Sequence, residues 1–419
     1  MIFFSCPWEQ GQEWDIGMPE IGIEQQIEKY WERFERQLSD EEQQKLDQLL
    51  QNTEEHFIDP TEEHPVKAVE MVRWLDPTPL VDLFKPMYIS FDTVKNRLGP
   101  RIRFLAYFSL SKRKNLWQAY HGLTTEEFQM LGFIGTPTYE ILREFVYERI
   151  TVYRFPLVMS MVDRELKEQL KKQDVLLGRK VFQDATDARS LKHDKEAKYS
   201  GYYKESGYKL DVTIDADHEI PLHYSPLGIT ADEGINLIPS QEHLTSLGIQ
   251  EKERIVDDKY ATYENIAHSE QRNVSLYYKI PKNWVYNEDG TPGMIKQRYQ
   301  KYHLEMDFVP GADLEFMLRY LSRKGDAEIV GALYRNMRMA EREEDPEGYD
   351  EKCNERGSHM EGFFGRVKIT TILDDHPGRR GWKWFLLQAG LSMLSLVFAA
   401  LIRVQQGVLE HLTNVTYII

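Results

Sequence analysis

The sequence predicts an α/β protein: a mixed β-sheet flanked by helices, behind a helical N-terminal region and with an insertion before its closing helices. Three observations carry that expectation. Up to about residue 177 the apolar side chains recur mostly at helical spacing. After Gly178 the texture changes to short runs, first in hairpin order and then alternating with helix-like segments, the pattern of a sheet with antiparallel and parallel neighbours. Finally, a less regular stretch, 281–349, separates this region from the apolar closing helices.

Residues 1–65 are expected to form an acidic helical segment. Ile23, Ile27, Tyr30, Trp31, Phe34 and Leu38 fall on one helical face, and Ser39-Asp40-Glu41-Glu42 opens a second helix as a capping box. The polar, proline-containing stretch 53–65 reads as a linker. Residues 66–177 continue as helices punctuated by Pro77, Pro79, Pro86, Pro100, Pro137 and Pro156. Within them 135–145 reads as a turn followed by a capped helix, either a plain helix start or a unit that sits on a DNA backbone.

The first strand, Lys180 to Gln183, is expected to stop at Asp184. Tyr208, Leu210, Val212 and Ile214 alternate along a second strand, and 220–227 is its partner across a polar turn. A helix over 231–247 leads to a strand, Arg254 to Val256, that stops at Asp257. A helix over 261–270 and a strand over 274–280 complete the core at residue 280. Residues 350–419 close it with a helix over 357–368 carrying Glu361 and a nearly all-apolar run, 384–402. That run reaches the span threshold of about 18 residues. A helix buried all round behind the sheet is the expected reading, and a tail-anchored membrane protein is the alternative.

At 419 residues there is room for two or three domains. Two cysteines, Cys6 and Cys353, form no metal-ligand spacing or disulfide framework, which fits a reducing compartment. The apolar residues 1–7 are too few, and lack the basic flank, for a secretory signal. A net charge of −16 argues against nucleic-acid binding through the overall field. The charge is uneven, however. Acids concentrate in 20–63 and 341–355, and bases in 101–114 and 366–383, so a local basic surface, including Lys112, Arg113 and Lys114, can still track phosphates.

Asp184 and Asp257 at strand ends and Glu361 on a helix are candidate catalytic and metal-ligating acids. A single Asp after a strand more often caps the next turn; three such acids in this order suggest phosphodiester chemistry. Two divalent ions about 3.5–4 Å apart can activate a nucleophile and stabilise the leaving oxygen. Mg²⁺ or Mn²⁺ needs only a few hard carboxylates, so two ions can be held without a His or Cys cluster.

Asp184-Ala185-Thr186, Gly207-Tyr208-Lys209, Val256-Asp257-Asp258-Lys259-Tyr260 and the run Glu361-Gly362-Phe363-Phe364-Gly365-Arg366-Val367-Lys368 together resemble the landmarks of DDE-type insertion-sequence transposases. The closing stretch from Arg380-Gly381 to Leu401-Ile402-Arg403 is similar too, so the resemblance covers roughly 178–407. It implies a ribonuclease H-like core, metal-dependent DNA strand cleavage at element ends and strand transfer into a target. The segment 281–349 fits the slot where family members carry an insertion. The resemblance further implies DNA contacts at Lys368, Arg356 and Lys209, DNA ends and target as partners, a homodimer on paired ends, and a cytoplasmic, nucleoid-associated place in a prokaryote. The chain departs from the family at three positions. Asn354 and Gly357 stand where a Tyr and an Arg are common, with Arg356 one position off, and Lys259 stands where a Gly is common. A catalytically inactive, transposase-derived DNA-binding protein is therefore the alternative.

Overall fold

The computed structural model describes residues 66–88, 91–190, 194–202, 204–280, 327–373 and 381–415. The helices expected within 20–52, the linker 53–65 and most of the insertion 281–349 lie outside the described residues.

The helical region comprises α1 (Ala68–Val72), α2 (Thr78–Leu83), α3 (Phe91–Leu110), α4 (Leu116–His121), α5 (Thr125–Met130), α6 (Tyr139–Arg143) and α7 (Phe155–Lys171). Pro79 and Pro156 lie in the first turns of α2 and α7, where a missing N–H leaves no hydrogen bond unmade. The capping expected near residue 138 is corrected: Thr138 makes no side-chain cap, and its hydroxyl is buried without a partner. From α6 the chain runs straight into a π-helical turn, Glu144–Ile150. The reciprocal cap instead opens α5, between Thr124 and Glu127.

Six strands follow: β1 (Lys180–Arg189), β2 (Lys198–Ser200), β3 (Glu205–Asp215), β4 (Pro221–Gly228), β5 (Glu253–Val256) and β6 (Ser275–Tyr278). They form one mixed sheet in the order β4-β3-β1-β5-β6, with short β2 also paired to β3. The β1–β3 and β3–β4 pairs are antiparallel, whereas β5 is parallel to β1 and β6 to β5. Gly178 turns the chain into β1 at φ +73°; its N–H donates to Asp215 at 2.7 Å, and a Cβ there would lie 2.5 Å from Ile249. Only glycine fits that turn.

One correction concerns β1, which continues through Asp184 to Arg189. Its antiparallel ladder with β3 holds register from Val181↔Asp215 to Arg189↔Gly207, so pairing overrides the weak strand preference of Asp184-Ala185-Thr186-Asp187. What ends near Asp184 is the neighbour on the other side: the ladder with β5 stops at Phe182↔Ile255.

Helices α8 (Leu237–Ser246), α9 (Tyr263–Gln271), α10 (Ala327–Glu344), α11 (Pro346–Thr370) and α12 (Trp382–Gln405) surround the sheet. The buried apolar residues from Ala68 to Val415 make one continuous core. α12 is long and apolar enough to cross a membrane, yet it packs on α3, α7 and β4 and is buried from Trp384 to Val404. Gly390 lets it approach Phe155 of α7, whose ring a Cβ would meet at 2.4 Å.

Candidate active site

Asp184 lies in the middle of β1, and Asp257 is the first residue after β5. Extending the parallel register two residues beyond Phe182↔Ile255 sets Asp184 beside Asp257, on strands about 4.8 Å apart. The Asp257 carboxylate accepts from the N–H of Asp258 at 2.9 Å, starting the single 3₁₀ turn Asp258–Tyr260. The Asp184 carboxylate likewise accepts from Ala185 N–H at 2.9 Å.

A third element reaches the pair. α11 crosses β1 and β5, burying Tyr349, Cys353, Met360, Phe363 and Val367 along one stripe. Arg356 lies on the same stripe, seven residues from both Tyr349 and Phe363, and this aims its guanidinium at the two acids. One nitrogen donates to Asp184 Oδ2, and the other is 3.8 Å from Asp257 Oδ1. Burial pushes the Asp184 carboxyl up to about 6, against the opposing pull of Arg356 and the Ala185 N–H, while the nearby Asp257 and Glu233 charges add to the rise.

Glu361 does not join them. It is exposed and makes no hydrogen bond or ion pair with a described residue. Five residues past Arg356, it lies about 140° further round the helix, on the flank that carries Lys368. Among the described residues no three of His, Cys, Asp and Glu stand close enough to hold a metal ion together. The structure thus brings Asp184 and Asp257 together and leaves Glu361 apart, because the buried stripe of α11 turns Arg356 inward.

Of the expected DNA contacts, Lys209 is corrected. Residues 229–236 cover its face of β3, so it is buried, donating to Glu233 at 2.6 Å and to the Ala231 carbonyl at 2.9 Å. Lys368 is half-buried and 3.4 Å from Asp187. Lys112 is half-buried at a positive φ, whereas Arg113 and Lys114 are exposed on the turn after α3. Asp258 is exposed beside Asp257, and Glu355 pairs with Lys180 at 2.7 Å, away from the acids.

Beneath the site lies a polar layer that strand alternation does not reveal. Lys209, Asp211, Thr213 and Asp215, the face of β3 opposite its apolar one, are all buried. Asp211 accepts from Tyr260 O–H and, at 2.9 Å, from Gln183. Burial pushes its carboxyl up to about 7 despite those donors. Arg254 of β5, fully buried, forks onto Glu251 at 2.6 and 2.9 Å and reaches Ser240 of α8 at 3.1 Å. This layer fixes β1, β3 and β5, and with them the backbone that carries both aspartates.

A pair of carboxylates that keeps one net negative charge beside the Arg356 guanidinium is an oxygen-only donor set, which suits a hard divalent ion such as Mg²⁺ that takes few protein carboxylates. Asp184 and Asp257 would hold it. No protein-family model matches the chain, and no curated protein does so.

Proposed function

We propose that the chain is a transposase-type protein that cleaves and joins DNA strands at a ribonuclease H-like core. The observation that carries this reading is the Asp184–Asp257 pair, on β1 and just past the end of the adjacent parallel β5, with one cation reaching both. The sheet supports it: an antiparallel meander, β1-β3-β4, is joined on the other side of β1 by parallel β5 and β6, a mixed sheet flanked by helices as the resemblance implies. When bound, Mg²⁺ or Mn²⁺ would supply charge neutralisation at the phosphodiester and an activated nucleophile. The chain's own part is to hold two carboxylates on a rigid sheet. It also presents Arg356 beside them and carries Glu361 and Lys368 on one flank of α11, where the resemblance puts the third acid and a phosphate contact.

The test is nicking of a supercoiled plasmid that carries the reading frame with its flanking DNA, in Mg²⁺ or Mn²⁺. The wild-type chain is expected to nick it, and Asp184→Ala, Asp257→Ala and Glu361→Ala each to lower the rate about a hundredfold or more. Full activity in Glu361→Ala would remove that residue from the site. A second reading, a transposase-derived protein that binds DNA without cutting it, is favoured by the guanidinium on the acid pair and by the separation of Glu361. It expects retention of the same DNA in a gel and no nicking in either metal.

A further inference from the structure

We propose that Arg356 is a built-in counter-cation that competes with divalent metal for Asp184 and Asp257, so that metal loading waits until an incoming phosphodiester draws the guanidinium away. The proposal rests on reading the aspartate pair as a metal centre.

Side by side and partly buried, the two carboxylates repel each other, and a positive charge between them relieves the repulsion. Arg356 supplies that charge from α11, its side chain only 16% exposed. One guanidinium leaves the trio with one net negative charge. Adding a divalent ion with the guanidinium still present reverses the sign, which disfavours loading in the absence of DNA. A phosphate arriving with the ion restores neutrality, so metal and DNA are expected to load together.

The engagement of Arg356 is incomplete, and this makes it displaceable. A guanidinium has five N–H donors. Arg356 places one nitrogen on Asp184 and another at 3.8 Å from Asp257, and its Nε is buried without a partner. Arg254, one strand away, shows the opposite case: a two-point fork on Glu251 with further bonds to Gln183 and Ser240, in a fully buried setting. The first arginine is fitted to be released and the second to stay.

The test is Mn²⁺ binding to the DNA-free protein, followed by calorimetry and by the loss of the free-ion signal in electron paramagnetic resonance. Wild type is expected to bind weakly, and Arg356→Gln about tenfold tighter or more, the loss of a charge-assisted contact being worth at least that factor. Arg356→Lys keeps the charge but cannot fork across both acids, and it should fall between the two. It also serves if the uncharged variant does not fold, as read by circular dichroism. Adding Asp184→Asn to Arg356→Gln should abolish the gain. Equal affinity in wild type, Arg356→Gln and Arg356→Lys overturns the competition while leaving the aspartate pair as a metal centre. No Mn²⁺ binding in any of them overturns the metal centre itself, and the competition with it.

Discussion

Asp163 is buried in α7, and neither carboxylate oxygen has a hydrogen-bond partner among the described residues. Burial raises its pKa well above the usual carboxylate value, so the folded chain binds this proton more tightly than the unfolded chain, which releases it near pH 4. The sign follows: the folded state binds more protons, so stability falls as pH rises from about 4 toward the folded-state pKa. Asp163→Leu should therefore stabilise the chain at pH 7 by about 1–3 kcal/mol, the cost of a buried polar group without a partner, and the gain should shrink toward pH 4. Urea denaturation at both pH values measures it; equal stability of the two chains at pH 7 would count against the buried, unpartnered assignment. Other single residues divide by whether a periodic pattern locates them. Arg356 was legible in principle, because it falls seven residues from both Tyr349 and Phe363 on a helix whose apolar stripe must face the sheet. Lys209 was not, since nothing local in the sequence shows that residues 229–236 fold over its face of the strand.

At the scale of elements, β3 was readable from its period-two alternation, the short β5 and β6 from brief β-branched and aromatic runs, and α12 from the length of its apolar run. The length of β1 was not, because Asp184-Ala185-Thr186-Asp187 is poor in strand formers and becomes a strand only through nine residues of pairing with β3. The polar layer under the sheet was hidden for a related reason: period-two reading assigns a polar strand face to solvent, whereas α8 and the segment before it bury this one. Arg254 ties that layer together across β1, β5 and α8. Arg254→Met should destabilise the fold by about 3–5 kcal/mol, because Glu251 is left as a buried, unpaired charge. Combining it with Glu251→Leu should recover most of that loss, since replacing both partners leaves no orphaned charge. Guanidinium denaturation of the three proteins decides the matter; a double variant no more stable than Arg254→Met would mean that strand geometry, rather than the buried charge, sets the cost.

The whole molecule carries a charge of −16, yet the proposed function requires it to hold a polyanion. Whole-chain charge was legible from composition. Its distribution over the surface depends on which bases the fold spends internally, and the structure shows that several are spent. Lys209, Arg254 and Arg356 neutralise buried or half-buried acids, and Lys368 lies against Asp187. Of the basic segment 101–114, Arg103 donates to the Leu75 carbonyl at 2.9 Å, and Lys112 is half-buried, its pKa lowered by that burial. Arg113 and Lys114 remain exposed at the end of α3 and are the side chains of this segment best placed to meet phosphate. Each phosphate neutralised releases counter-ions, so the slope of log affinity against log salt changes by about 0.9 per contact. Reversing both charges, Arg113→Glu with Lys114→Glu, should therefore flatten the slope by about 2 for duplex DNA while leaving the thermal unfolding of the chain unchanged. Fluorescence anisotropy on a labelled duplex from the flanking DNA, at four or more salt concentrations, reads this directly. A slope equal to that of the wild type would move the DNA-binding surface away from the end of α3.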